Sequence, residues 1–443
     1  MTRSHRRRSI DAGAPRRARR EFLKCSLAAA GGVAAGAIAP FNIARAANRV
    51  VRIGYIDQLT GPRANFAEDV PWMIAQMRAL MKDGLRVGNR TYDVEIIVRD
   101  SQSDSNRMGS LGNELVIRED VDLLLVADGL AAPALEICDQ NGTPAISTML
   151  QWEPFYAARG GRPGTGYPYS FLFFWSAADI IRNYVGMWAA SGIERRVGTF
   201  YADNDFGHTF ARGMRAALAG QGFVEIPGGI FKDNVDDFSN QAIDFREGRA
   251  RILTGLVFPS QFATFWGQAM QAGLSVEAVT LAAAFVFPSG VEVLGSKGAG
   301  MSTEVWFNRQ LPFASSLTGE TADQLCGHYE RSTGRQWVQP MGYHHALWEV
   351  ALGALRAAGD PRDRCAVRDA IANTCLDSVI GRVDFRHSPL KSVAVTWITM
   401  GQWYRSQGGR YPYELYVTGN LTAPQVPVQR EFLPLSKLQR IGA

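Results

Sequence analysis

The adjacent pair His344 and His345 is the first place to look for chemistry in this 443-residue chain. Neighbouring residues on a helix point about 100° apart around its axis, so the two rings face different directions. Neither belongs to His-Glu-x-x-His, and His208, His328 and His387 lack metal spacing. Asp203 and Asp205 form a candidate carboxylate pair, but a turn after a strand gathers acids without catalysis. A Gly-x-Gly-x-x-Gly turn after the first strand, a phosphate-cradling Gly-x-x-x-x-Gly-Lys-Ser/Thr and a Gly-x-Ser-x-Gly nucleophile turn are all missing. The sequence therefore offers no catalytic residue, no metal ligand set and no cofactor site.

What it offers instead is aromatic side chains at the ends of strands. Phe66, Trp152, Phe174, Trp175, Phe206, Phe258, Phe285 and Phe287 all fall near predicted strand ends. In open α/β sheets ligands bind beyond the carboxyl ends of the strands. Trp152 and Phe206 lie in predicted loops, where a large ring needs a reason such as a pocket.

The elements that would position these rings alternate along the chain. Residues 50–61 read as a strand and Gly-containing turn, and 68–82 as a helix with Met73, Met77, Leu80 and Met81 at helical spacing. Strands follow at 92–98, 121–126 and 144–147, with helices at 106–118 and 132–140 between them. The apolar run Val121 to Val126 is typical of a strand buried in a parallel sheet. After a Gly-, Pro- and aromatic-rich loop at 151–169, the pattern restarts. Helices at 177–191, 210–220, 238–246 and 262–272 alternate with strands at 196–201, 222–226, 255–258 and 278–284. This is the pattern of α/β domains with right-handed crossovers. The final third adds a strand at 303–307 and helices at 318–331, 342–358 and 364–373. The long helix at 342–358 places Tyr343, Leu347 and Val350 on one side. Strands at 381–385 and 393–399 follow, and Pro-rich residues 405–443 are expected to run extended over a finished surface.

The front of the chain reads as an export signal. Arg19-Arg20-Glu21-Phe22-Leu23-Lys24 precedes a mild Ala/Gly-rich run at 26–40 and Ala44-Arg45-Ala46, with Ala47 the expected first mature residue. The paired arginines resemble a twin-arginine signal. The run is too short and weakly apolar for a membrane span, which needs roughly 20 apolar residues. Residues 1–46 hold ten Lys/Arg and two acids, so the whole-chain charge of +5 becomes 37 bases against 40 acids in the mature part. Nothing is left to favour a nucleic acid, whose binding needs concentrated positive charge. About 400 mature residues exceed what one core usually supports, so two domains are expected. Cys138, Cys326, Cys365 and Cys375 remain after the leader, and an exported chain permits disulfides. A Cys365–Cys375 bond requires the helix to end near Asn373, with Cys326 as a competing partner. Cys138 reads as a small buried residue.

Ile53-Gly54-Tyr55 with Leu59-Thr60-Gly61-Pro62, the Asn204-Asp205-Phe206-Gly207 turn, Gln268-Ala269-Met270-Gln271-Ala272-Gly273 and Gly381-Arg382-Val383-Asp384-Phe385 together resemble type I periplasmic substrate-binding proteins of ABC transporters, of the leucine/isoleucine/valine-binding kind. The resemblance implies two Rossmann-like three-layer α/β/α lobes, joined by three crossovers around a ligand cleft. Lobe 1 would be residues 50–169 plus about 301–390, and lobe 2 residues 170–300 plus about 391–404. It also implies a periplasmic protein, acting as a monomer, that delivers a small-molecule ligand to an inner-membrane ABC permease.

Carried onto this chain, the first-lobe site would use Phe66, Asp128, Gly129, Leu130, Met149, Leu150 and Gln151, with Trp152 beside them. The second lobe would use Phe206, Phe258 and Ser260. Where the family places a carboxylate for the ligand's ammonium, this chain has Ala282-Ala283-Ala284-Phe285, so Ala284 and Phe285 take that place. A buried ammonium without a charged partner costs several kcal/mol, which disfavours a plain aliphatic amino acid unless Asp128 supplies the charge. An organic acid, an amide or an aromatic compound fits better, with Arg63 available to a carboxylate. A sensor of the same fold that controls an amide or solute response, and an exported enzyme, are the competing classes.

Overall fold

The computed structural model describes residues 49–232 and 235–441. The leader at 1–46 lies outside the described residues. Among those described, no helix is long and apolar enough to cross a membrane.

The first run of the chain is β1 (Val50–Asp57), α1 (Val70–Leu80), β2 (Leu85–Val87), β3 (Arg90–Asp100), α2 (Ser105–Asn113), β4 (Leu123–Ala127), α3 (Ala132–Asn141), β5 (Ala145–Thr148), α4 (Trp152–Ala157) and β6 (Ser170–Phe174). The second is α5 (Ala177–Ser191), β7 (Arg196–Ala202), α6 (Asp205–Gly220), β8 (Val224–Phe231), α7 (Ser239–Glu247), β9 (Ile252–Val257), α8 (Pro259–Gln271), β10 (Ala278–Ala283), α9 (Pro288–Glu292) and β11 (Met301–Val305). The last third is α10 (Ala322–Thr333), α11 (Pro340–Ala357), α12 (Arg364–Ala372), the hairpin β12 (Cys375–Ser378) and β13 (Gly381–Asp384), β14 (Val393–Val395), β15 (Thr399–Arg405), β16 (Tyr413–Gly419) and α13 (Leu435–Ile441).

Two seven-stranded sheets result, ordered β14-β6-β5-β4-β1-β3-β2 and β16-β15-β11-β10-β9-β7-β8. β1 lies parallel to β3 and β4, and β9 parallel to β7 and β10. The central strands β4, β9 and β10 are buried at every residue, as strands covered on both faces must be. α1 packs with α11 and α2 with α3 on the first sheet, and α5 with α6 and α7 with α8 on the second. Caps fix where helices begin: the Asp104 side chain accepts from the Asn106 and Arg107 amides at α2, and Thr321 and Gln324 form a reciprocal capping box at α10.

The chain passes between the sheets three times, after β6, after β11 and between β14 and β15. Sheet membership differs from the expected lobe boundaries at 170, 301 and 391. β6 and β14 pair with each other in the first sheet, and β11 pairs with β10 in the second. These are short strands beside the crossovers, and a short apolar run does not reveal which sheet it will join. Residues 405–443 are also more structured than expected, since β16 extends the second sheet antiparallel to β15.

α11 is buried all round instead of along one side, with His344, His345 and Glu349 inside beside Tyr343 and Leu347. His344, His345 and Glu349 each have at least one polar partner, as most buried polar groups do. Asp69 is 2.9 Å from His344 Nδ1, the Ser315 hydroxyl is 2.7 Å from His345 Nε2, and the Val379 amide donates to Glu349 at 3.0 Å. Cys138 is buried as expected, and Cys138, Cys326 and Cys375 are free thiols. The Cys365–Cys375 bond is therefore not formed, although α12 does end at Ala372.

Candidate functional site

A cavity of about 480 Å³ opens where the carboxyl ends of both sheets meet. That volume is within the ~300–1,000 Å³ usual for small-molecule sites. Each wall is built by the turns that follow the strands.

On the first sheet, the chain leaving β1 supplies Gln58, Arg63 and Phe66. Gln58 is anchored from below: its amide donates to Asp57 at 2.7 Å, and Tyr55 Oη donates to the same carboxylate at 2.9 Å. His344 Nε2 lies 3.3 Å from Asp57, so the histidine bridges Asp57 and Asp69 under the site and has no access to it. Burial pushes the Asp57 carboxyl up to about 7, against the lowering effect of His344. A 3-10 turn at Ala64–Ala67 then presents Phe66. The Arg63 guanidinium lies over Gly129, close enough that a Cβ there would be 3.6 Å from it. Arg63 makes no ion pair within 4.0 Å among the described residues. Gly129 and Leu130 after β4, Met149, Leu150 and Gln151 after β5, and Phe174 and Trp175 at the end of β6 complete this wall.

On the second sheet, Asn204 caps α6 by accepting from the Gly207 amide at 2.9 Å, which places Phe206 at the cavity against Phe210. Phe258 precedes Pro259 at the start of α8. Ala283, Glu304 and Trp306 follow from β10 and β11. Met149 and Ala283, at the ends of β5 and β10, both adopt left-handed backbone with φ of 65° and 68°. Such strain persists only where surrounding structure imposes it, and it clusters at binding sites.

Of the residues named from sequence, Arg63, Phe66, Gly129, Leu130, Met149, Leu150, Gln151, Phe206 and Phe258 line this one cavity. Asp128, Trp152, Ser260, Ala284 and Phe285 do not line the cavity. Asp128 is fully buried behind the wall, where it accepts from Ser101 Oγ at 2.6 Å and from the Leu130 amide at 2.8 Å; its oxygens shape the turn. Trp152 begins α4 and leans on Tyr156. Ser260 is exposed on α8. Ala284 is core, and Phe285 packs edge-on against Phe262 while its carbonyl accepts from Trp403 Nε1 at 2.7 Å. Asp203 pairs with His208 at 2.8 Å on the surface and is not among the cavity's lining residues; the Asp205 side chain lies outside what is described.

The sequence reading named Phe174 and Trp175 among the aromatics at strand ends without assigning them to the site, and two residues escaped it, Trp306 and Glu304. Trp175 and Trp306 lie 6.3 Å apart between ring centroids, with Phe174 stacked on Trp175 at 4.3 Å. The carboxylate missing from the loop after β10 appears one strand later, as Glu304. It is buried, its Oε2 accepts from Tyr184 Oη at 2.7 Å and Thr303 Oγ1 at 2.9 Å, and burial raises its pKa. A lone acid inside the strand Met301–Val305 was the available signal. One trio with metal-type proximity exists among the described residues: Cys375, Asp384 and His387 have ligand atoms within 4.8 Å on the β12–β13 hairpin, remote from the cavity. Sequence spacing hides it because the hairpin brings Cys375 to Asp384.

The solved structures that resemble this chain have the same architecture. A leucine-binding protein from Thermotoga maritima matches with a TM-score of 0.66 at 16% identity, covering 82% of this chain and 97% of its own. A solute-binding protein of an ABC transporter from R. palustris, solved with benzoate, matches at 0.67 and 13% identity, covering 86% and 98%. A branched-chain amino acid transporter substrate-binding protein from Streptococcus pneumoniae, solved with isoleucine, matches at 0.65 and 14%, covering 83% and 99%. No curated protein sequence matches. A family model described as periplasmic binding protein matches residues 50–405. With two parallel-dominated sheets, three crossings and a cavity at the strand ends, the chain belongs to the periplasmic binding protein family and has the type I fold.

Proposed function

We propose that this chain is the solute-binding component of an ABC importer, and that it captures a small aromatic carboxylate between its lobes and delivers it to an inner-membrane permease. The observation that carries the ligand class is Arg63, a guanidinium with no carboxylate within 4.0 Å among the described residues and only the charge of buried Asp128 behind it, at a cavity walled by Phe66, Phe174, Trp175, Phe206 and Trp306. Guanidinium presents a fork that matches a carboxylate, and aromatic walls favour a flat apolar body. The benzoate-bound relative supports the same class. Leucine would pair its ammonium with Glu304 on the same wall, but its branched side chain would forgo the ring contacts that the aromatic walls offer.

The reading of residues 1–46 as a leader places the mature chain in the periplasm, where a permease partner would meet it. Cell fractionation that recovers the full chain only from the cytoplasm would contradict that location. Isothermal titration of the purified protein with benzoate and with leucine tests the ligand class. Benzoate is expected to bind, and leucine to bind about three- to tenfold more weakly, the ~0.5–1.5 kcal/mol that a ring gains against an aromatic partner beyond its buried area. Tighter binding of leucine overturns the assignment.

A further inference from the structure

The β12–β13 hairpin gathers a sulfur, a carboxylate and an imidazole at one point. Cys375, the first residue of β12, stands directly opposite Asp384, the last of β13. The turn that follows brings His387 back to the same carboxylate. Its amide donates to Asp384 Oδ1 at 3.0 Å, and its Nδ1 lies 2.9 Å from Oδ2. The ligand-type atoms of all three side chains lie within 4.8 Å of one another.

The cations nearby are turned to other partners. Arg382 is held by both oxygens of Asp377, at 2.8 and 2.9 Å, and Arg386 Nε donates to the Asn373 carbonyl at 3.0 Å. Asp384 therefore pairs with neither arginine, although each is two residues away in sequence, and its ion-pair partner is His387. The thiol sets the trio apart from the other surface histidines: His208 pairs with Asp203 and His328 with Glu320, each without a cysteine. Cys375 is exposed, whereas Cys138 and Cys326 are buried.

The donor types select the ion. Thiolate and imidazole suit zinc and its transition-metal neighbours, while magnesium and calcium take oxygen ligands. One thiolate and one carboxylate balance a divalent charge, and a neutral imidazole is the third ligand. Zinc bonds of about 2.0–2.3 Å put tetrahedral ligand atoms ~3.5 Å apart. That spacing lies between the 2.9 Å of the His387–Asp384 pair and the 4.8 Å that bounds the trio. We propose that Cys375, Asp384 and His387 bind a divalent transition-metal ion of the zinc class. The ion replaces the thiol proton and the hydrogen between His387 and Asp384, the imidazole keeping its hydrogen on Nε2. Water completes the fourth position. None of the three residues lines the solute cavity, so the site is independent of the ligand class proposed above.

Cobalt titration of the reduced, untagged full chain, followed by absorption, tests this. An equimolar complex is expected, with thiolate-to-cobalt charge transfer in the near ultraviolet and the intense visible bands of tetrahedral cobalt, both bleached by zinc. Cys375→Ser should abolish the charge-transfer band. Cys375→Ser and His387→Ala should each weaken zinc binding about 10-fold or more in calorimetry, since residues that only orient metal ligands already contribute 10–100-fold. Melting curves check that the variants fold. In the wild type, which needs no substitution, zinc should slow alkylation of Cys375 as mapped by peptide mass spectrometry. An octahedral cobalt spectrum without charge transfer, equal zinc affinity in wild type and both variants, or alkylation of Cys375 unaffected by zinc overturns the site.

Discussion

The rings of Phe66 and Phe287 meet edge to face, with centroids 4.9 Å apart and planes at 85°. Phe66 follows β1 of the first sheet and Phe287 follows β10 of the second, so this contact closes the cleft from both sides. An edge-to-face pair is worth about 0.5–1.5 kcal/mol beyond its buried area. Because the pair exists only when the lobes are together, its energy enters ligand affinity more than the stability of either lobe. Phe66→Leu is expected to weaken ligand binding about three- to tenfold, the equivalent of that energy. The melting temperature of the unliganded protein should stay nearly the same. A large fall in that melting temperature with affinity intact would show the contact to be ordinary core packing.

Gly207 explains one motif in physical terms. A Cβ at this position would lie 2.0 Å from the carbonyl oxygen of Ala202. Gly207→Ala therefore forces the start of α6 to move, and Phe206 with it. The expected cost is about 1–3 kcal/mol of stability, as for other overpacked sites. Weaker ligand binding should accompany it. Denaturant unfolding and calorimetry on the variant check both, and unchanged binding would place Phe206 outside the ligand's reach.

Burial holds His345 neutral, with its pKa pushed down to about 4. Ser315 Oγ already accepts from the Leu317 and Thr318 amides, so its hydrogen is free to donate to Nε2 of the neutral ring. In the unfolded chain the same histidine titrates near ~6.5. As pH falls from that value toward 4 the unfolded state takes up the proton first, and the fold loses stability by up to roughly 3 kcal/mol. Glu349, one turn further along α11, works in the opposite sense: burial pushes its carboxyl up to about 7, so acidification through neutrality favours the fold there. His345→Gln isolates the first effect. Urea unfolding at pH 7.5 and 5 should show a smaller acid loss in the variant than in the wild type, and an equal loss in both would contradict the assignment.

The fold was legible where burial leaves a mark on composition. The unbroken apolar run of β4 placed that strand, whereas α6, expected at 210–220, begins earlier, at Asp205, where Asn204 caps it. Arg63, Phe66, Met149 to Gln151, Phe206 and Phe258 could be read as site residues because they follow strands whose carboxyl ends gather at one edge. What sequence hides is lateral adjacency. Glu304 reaches the cavity because β11 lies beside β10, with Thr280 opposite Ser302. No spacing along the chain encodes that pairing. Asp128 misled for the converse reason: it follows a central strand, but its oxygens are taken by Ser101 and Leu130 inside the wall. Trp175 and Trp306 flank crossovers, where neither the helical nor the strand period persists long enough to assign a face.

Trp175 and Trp306 border the cavity, so tryptophan emission reports on its occupancy. The central claim is that an aromatic carboxylate is held there by Arg63. Fluorescence titration of wild type and Arg63→Gln with benzoate tests it most directly. A charge-assisted hydrogen bond contributes about 1.5–3 kcal/mol, so removing it should weaken binding about 10- to 100-fold. A saturable change in wild type at low ligand concentration, shifted by that factor in Arg63→Gln, is the predicted result. Equal titration of the two proteins, or a saturable response to leucine at lower concentration than to any aromatic acid, would contradict it.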